Sequence, residues 1–241
     1  VASRIPVSAT VLAPCAAFGF FEKATRMQSP STQSPSITSR SAPDVLGRHY
    51  NEVKQLAAKC RNCPLWENAT QTVFGDGPIH TPLMLVGEQP GDKEDRAGVP
   101  FIGPAGQLVD RVLGEIGIPR EQVYTTNAVK HFKFQPSGKR RLHKTPAQRE
   151  IEACRPWLLE EIELVNPKLI VALGATAARS LLQRAVPIHA NRGKQFKTES
   201  GHSVLLTIHP ASLLRMPSED RHAAYELFVD DLKPLRKLFA H

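Results

Sequence analysis

The sequence predicts an α/β fold, a three-layer α/β/α sandwich around a central, mostly parallel sheet of four strands. Short continuous apolar runs alternate with longer stretches whose apolar residues recur every three or four positions. Runs that are apolar throughout suit strands buried on both faces, and strand–helix alternation puts helices on both sides of a parallel sheet. With 241 residues, 41% of them hydrophobic, the chain can bury the core such a domain needs.

Residues 1–43 differ in composition from the rest of the chain. Positions 28–43 are rich in Ser, Pro, Thr and Gln and hold too little apolar surface to order themselves, so this stretch is expected to be a disordered leader. The chain begins with Val1 and its first methionine is Met27, so one reading is a mis-assigned start with the true start at Met27. A targeting peptide is the other, because Arg4, Lys23 and Arg26 face a single acid, Glu22. Cys15 has no role that the sequence supports. The globular domain is placed at 44–241.

Within that domain, residues 83–86 form an apolar run ending at Gly87, the first expected strand. Pro104 opens a helix whose stripe is Leu108, Val109, Val112, Leu113 and Ile116. Residues 123–129 read as the second strand. Thr145 reads as an N-cap with Pro146 in the first turn of a helix carrying Ile151, Cys154, Leu158 and Ile162. Residues 169–173 are the third strand, closed by Gly174, and 175–182 a short helix. Residues 204–208 are the fourth strand, and Ser218 caps a last helix reaching about Phe239.

The net charge of +8 and a pI near 9.5 favour a polyanionic partner. Much of the charge is local. Positions 122–149 carry seven Lys/Arg and two His without one Asp or Glu, and Lys139, Arg140, Arg141 and Lys144 surround His143 between Gly138 and Pro146. Such a run meets either solvent or an anion such as a phosphate backbone. No apolar run approaches the roughly 20 residues that span a bilayer, so no membrane partner is expected. Four cysteines are too few for a disulfide scaffold, and Cys60-x-x-Cys63 reads as metal or cluster ligation in a reducing compartment, with the bacterial cytosol the expected location. Nothing calls for an oligomer, and a monomer is expected.

Ligands of parallel α/β sheets sit beyond the C-terminal ends of the strands. That rule brings Glu88, Gln89, Asn127, His143 and His209 to one edge, an acid, two amides and two imidazoles at one mouth of a basic face. Such a set suits a nucleic-acid enzyme better than a passive binder.

Gly87-Glu88-Gln89-Pro90-Gly91-Asp92, followed by the segment 98–106, resembles the first signature of the iron-sulfur uracil-DNA glycosylases of families 4 and 5. The Thr126-Asn127-Ala128-Val129-Lys130 and His209-Pro210-Ala211-Ser212-Leu213 segments are similar to the other two signatures. The 139–144 insertion resembles the extra loop of the UdgX subgroup, whose histidine becomes joined to the DNA sugar as uracil departs. The resemblance covers roughly residues 46–238. It implies a uracil-DNA glycosylase-like fold and uracil-containing DNA as the partner, with single-stranded DNA preferred. It also implies that Phe101 stacks on the base, that Asn127 reads its edge, and that His209 donates to the uracil oxygen as negative charge develops there. Gly87, Arg141 and Ser212 join the substrate-binding set. Taken singly, Phe101 could be a core aromatic, and Asn127 and His209 turn residues.

Glu88 is expected to stabilise the cationic sugar and to orient water or His143. Gln89 stands where other branches can carry a water-activating acid, and an amide is no base at neutral pH. That leaves room for a protein nucleophile. Neutral His143 offers a ring lone pair, its pKa expected to be lowered by adjacent Arg140, Arg141 and Lys144. The reading is a single-turnover glycosylase that stays attached through His143. The alternatives are a conventional family 4 enzyme that turns over and a non-catalytic reader of uracil or damage. Cys60, Cys63 and Cys154 fall where the family keeps cluster ligands. His131 occupies the place of its further cysteine, which implies a Cys3His-ligated 4Fe-4S cluster of structural role. Zinc on the same ligands, or a three-iron cluster without His131, are the other readings.

Overall fold

A computed structural model describes residues 42–240 of the chain, and the architecture is that of those residues. The expectations for the leader, Met27 and Cys15 lie outside them. The described chain opens with helix α1 (Ala42–Ala57), two residues inside the stretch read as leader. β1 (Leu83–Gly87) follows, buried along its whole length, then α2 (Asp92–Ala97), α3 (Pro104–Glu115) and β2 (Tyr124–Asn127). Next come β3 (Phe134–Ser137), β4 (Arg140–His143), α4 (Gln148–Val165), β5 (Leu169–Leu173), α5 (Ala175–Leu182) and α6 (Ile188–Asn191). The chain continues through β6 (Gln195–Lys197), β7 (Ser203–Thr207), α7 (Pro210–Arg215) and α8 (Ser218–Leu232), ending in a short 3-10 helix, Lys233–Leu238.

The central sheet has the order β2-β1-β5-β7-β6, the first four strands parallel and β6 antiparallel. The sequence led to four strands. The fifth is a three-residue edge strand, Gln195-Phe196-Lys197, too short and too polar to stand out as an apolar run. β1, β2, β5 and β7 pack on α3, α4, α5 and α8 through one continuous apolar core that includes Leu85, Val112, Leu158, Val171 and Phe228. β1 has β2 on one side and β5 on the other, so the chain's winding reverses there. Parallel sheets place their ligands beyond the C-terminal ends of the strands flanking such a reversal.

Two helix starts differ from expectation. α4 begins at Gln148 behind Ala147, not at Thr145, because the Lys144 N–H still donates to the Lys133 carbonyl at 3.0 Å and keeps the chain extended. The Glu150 carboxylate then accepts the Ala147 N–H at 2.6 Å. In α8 Pro217 is the cap and Ser218 the first helical residue.

The basic stretch is not a loop but an antiparallel hairpin, separate from the main sheet. Gly138, at φ 56°, supplies the left-handed turn between β3 and β4. The register pairs Phe134 with His143 and Pro136 with Arg141, so these four share one face.

Candidate active site

Five segments meet beyond the C-terminal ends of the central strands. Glu88 and Gln89 follow β1, Asn127 ends β2, Thr176 opens α5, His143 ends β4, and His209 precedes α7. The hairpin carries His143 to this edge, its side chain half exposed. Its Nε2 lies 3.5 Å from Glu88 Oε1 and 2.9 Å from Gln89 Nε2. The other Glu88 oxygen accepts from the Thr176 hydroxyl at 2.6 Å, which fixes the carboxylate near the start of α5. Thr176 went unnoticed in the sequence because a threonine one residue into a helix carries no signal.

Gln89 is buried and clamps the base of the hairpin. Its Oε1 accepts from Lys133 N at 2.9 Å, while its Nε2 lies 3.2 Å from the Lys133 carbonyl and 3.0 Å from that of Lys144. With the His143 ring nitrogen there are three acceptors for two hydrogens. Gln89 therefore ties both ends of the hairpin to the residue after Glu88 and lies within hydrogen-bond reach of the His143 ring.

Burial pushes the pKa of His143 below its usual value and Arg215 adds to the fall, while Glu88 opposes it. The direction matches expectation and the cause does not. Arg141 is occupied elsewhere, its guanidinium on Asp92 and Asp95 and stacked over Phe134 at 4.9 Å. The acids missing from positions 122–149 are thus supplied by other segments: Glu150 lies 2.8 Å from Lys133, and Lys130 is wholly buried against Glu161. Arg141 as placed pins the hairpin; its guanidinium is spent on those two aspartates.

Burial depresses the His209 pKa to about 4, helped by His143 and Arg215, so the ring is neutral at neutral pH. Its Nδ1 accepts from Ala211 N at 3.2 Å, which leaves the ring proton on Nε2 as a donor. The Ser212 hydroxyl donates to the His209 carbonyl at 2.7 Å, holding the turn.

Phe101 and Asn127 both press against Gly87. A Cβ there would meet Phe101 Cζ at 2.8 Å and collide with Asn127 Oδ1, so only glycine admits both side chains. Phe101 is buried and sits at φ 59°, a conformation unusual for an aromatic residue and characteristic of functional sites. The Glu94 carboxylate braces its loop by accepting from Gly103 N at 2.7 Å and Gly91 N at 3.2 Å.

Cys60, Cys63 and Cys154 carry no disulfide and lie near enough to raise the Cys154 pKa, which burial pushes up to about 12. The Trp157 indole donates to Cys60 Sγ and Lys130 N to Cys154 Sγ, each at 3.1 Å, as outer partners of sulfur ligands do. His131 shares a cavity of about 440 Å³ with Cys60, and its buried Nδ1 has no hydrogen-bond partner. The described residues nonetheless include no group of three or more His, Cys, Asp or Glu gathered tightly enough to grip a metal ion as they stand. The donor set fits a thiolate-rich cluster in its chemistry and neighbourhood.

A parallel sheet with this winding brings a buried aromatic, two amides, a carboxylate and two imidazoles together beyond its strand ends. The chain belongs to the Uracil DNA glycosylase superfamily, matching it over residues 74–233. It is 42% identical to the type-4 uracil-DNA glycosylase of Thermotoga maritima over 169 residues, 70% of this chain and 84% of that one. It is 37% identical to that of Pyrobaculum aerophilum over 69% of this chain and 85% of the relative. The Sulfurisphaera tokodaii type-4 enzyme is 34% identical over 78% and 83%. No helix among the described residues is long and apolar enough to cross a membrane.

Proposed function

We propose that this chain excises uracil from DNA by cleaving the N-glycosidic bond, and that His143 captures the sugar carbon that uracil leaves. The observation that carries the finer reading is the His143 imidazole, 3.5 Å from the Glu88 carboxylate and 2.9 Å from an amide that cannot act as a base. The flipped base stacks on Phe101, and Asn127 reads its pairing edge with a group that both donates and accepts. As the bond from the sugar carbon to the base breaks, its electron pair moves onto uracil, and His209 Nε2–H donates to the oxygen where negative charge gathers. Glu88 stabilises the positive charge on the sugar. A lone pair of the neutral His143 ring then bonds to the sugar carbon. The proton on the other ring nitrogen leaves to solvent, giving an alkyl-imidazole with no easy hydrolytic exit. Burial favours the neutral ring this step needs.

Cys60, Cys63, Cys154 and His131 are the proposed ligands of a 4Fe-4S cluster, which when bound would cross-link the segment after α1, the stretch after β2 and α4. Single-stranded DNA is the proposed preferred substrate, since an unpaired base leaves its stack at less cost. The exposed cations of the hairpin, Lys139, Arg140 and Lys144, face solvent where a phosphate backbone can reach them. The chain is proposed to act as a monomer in a reducing, cytoplasmic setting, as thiolate ligands such as Cys60, Cys63 and Cys154 require.

The test is a denaturing gel of purified protein mixed with a uracil-containing single-stranded oligonucleotide, beside His143→Ser. A heat- and SDS-resistant band in the wild type that vanishes in the variant is the expected result. Abasic DNA accumulating over many turnovers without a band would overturn capture and leave a conventional enzyme. Neither band nor abasic product would leave a DNA reader.

A further inference from the structure

We infer that the buried Lys130–Glu161 ion pair is a positioning device that sets the orientation of Asn127, and through it base recognition; the inference rests on the uracil-reading role proposed for Asn127. Both side chains are fully buried. The Lys130 ammonium has three hydrogens and three acceptors: the Glu161 carboxylate, Thr126 Oγ1 at 2.6 Å and the Asn127 carbonyl at 2.9 Å. Glu161 in turn accepts from Gly75 N at 2.6 Å, from Thr126 Oγ1 at 2.8 Å and from the Tyr124 hydroxyl at 3.2 Å. The network therefore holds residues 124, 126 and 127 of β2 and anchors them to α4.

Asn127 is where the chain leaves the sheet. Ala128 N donates to the Gly87 carbonyl at 2.9 Å and Val129 N to the Glu88 carbonyl at 3.0 Å, so one side of this segment is tied to β1. The Asn127 carbonyl is held by Lys130. The ammonium thus fixes the peptide plane after Asn127, and with it the direction in which the amide leaves the backbone. Gly87 leaves the room that the amide then occupies. A charged pair sunk in an apolar core is seldom needed for stability alone, because well-packed apolar residues often replace it without loss. Here it also closes hydrogen bonds on the one strand end that presents the base-reading side chain.

The experiment measures single-turnover uracil release and affinity for a thymine-containing oligonucleotide. It compares wild type, the Lys130→Met/Glu161→Gln pair variant, Asn127→Ala and the combination. Gln keeps acceptors for Gly75 and Tyr124. The pair variant is expected to release uracil about 30–100-fold more slowly, the loss typical of a misplaced reacting geometry, with oligonucleotide affinity within about twofold. In the Asn127→Ala background the same pair change is expected to add less than about threefold, because its target is gone. A pair variant of lowered melting temperature but wild-type rate per folded molecule would overturn the inference, as would full additivity with Asn127→Ala. Thr126→Val, which keeps the ion pair but removes one Lys130 acceptor, serves if the pair variant does not fold. It is expected to lose about three- to tenfold in rate at unchanged affinity, and an unchanged rate overturns the inference. Wild type that releases no uracil would overturn the proposed activity itself, a result distinct from an active wild type with an equally active pair variant.

Discussion

Removing Arg141 should loosen the hairpin that carries His143 while leaving the main sheet intact. Its Nη1 lies 2.6 Å from Asp95, which is fully buried, and 3.2 Å from Thr70 Oγ1; its Nε meets Asp92. The guanidinium also stacks over Phe134 at 4.9 Å and Phe132 at 5.3 Å. Stripping the partner from a buried charge typically costs about 3–5 kcal/mol. Asp95 keeps the Thr70 N–H and hydroxyl as donors, at 3.0 and 2.6 Å, so the loss in Arg141→Ala should be nearer about 2–3 kcal/mol. A two-stranded hairpin has little stability of its own, and the Gln89 clamp is then its main remaining tie. At about 1.4 kcal/mol per tenfold, amide exchange across β3 and β4 should quicken about 30–100-fold, with core strand amides unchanged. Sugar capture or uracil release should fall by at least about tenfold as His143 loses its register with Glu88. Hydrogen exchange followed by mass spectrometry, read peptide by peptide, gives the first quantity. Hairpin exchange within twofold of wild type would refute the anchoring argument.

Other consequences arise from the same geometry. Gly87→Ala drives a methyl to within 2.8 Å of Phe101 Cζ and into Asn127. Overpacking of this kind costs about 1–3 kcal/mol, and uracil release should fall about 100-fold or more with little change in affinity for uracil-free DNA, measured by single-turnover release and anisotropy. Acid should destabilise the fold through His209. The unfolded ring takes up its proton near pH 6.5 and the folded one only near 4, so the unfolded state binds more protons in between and stability drops as pH falls through that window, by up to about 3 kcal/mol. Denaturant unfolding at pH 7 and pH 4.5 should show a shallower dependence in His209→Gln. Cys154→Ser should yield protein with less bound iron and a lower melting temperature, checked by metal analysis and thermal unfolding. Iron retained at the wild-type level would contradict its ligand role.

The four long strands of the sheet were legible in the sequence because buried parallel strands must be continuously apolar, and the candidate site residues because their segments fall just past the strand ends; the edge strand β6 and the β3–β4 hairpin, short and polar, were not. Lys130 shows where such reading stops. In sequence it counts with six other cations as basic surface, and in the fold it is sealed against Glu161, 31 residues away. Arg141 likewise is expected among the substrate-binding residues, while in the fold Asp92 and Asp95, 49 and 46 residues earlier, hold its guanidinium. Thr176 and Trp157 carry no local pattern at all; each matters through one long-range hydrogen bond. Periodicity and residue type are local properties, so the order of residues was enough to expect the four long parallel strands and the helices between them, and to single out candidate site residues. Which cations stay exposed and which are paired inside the protein was settled by the folded arrangement, because charge pairing depends on distances in space that the order of residues does not state.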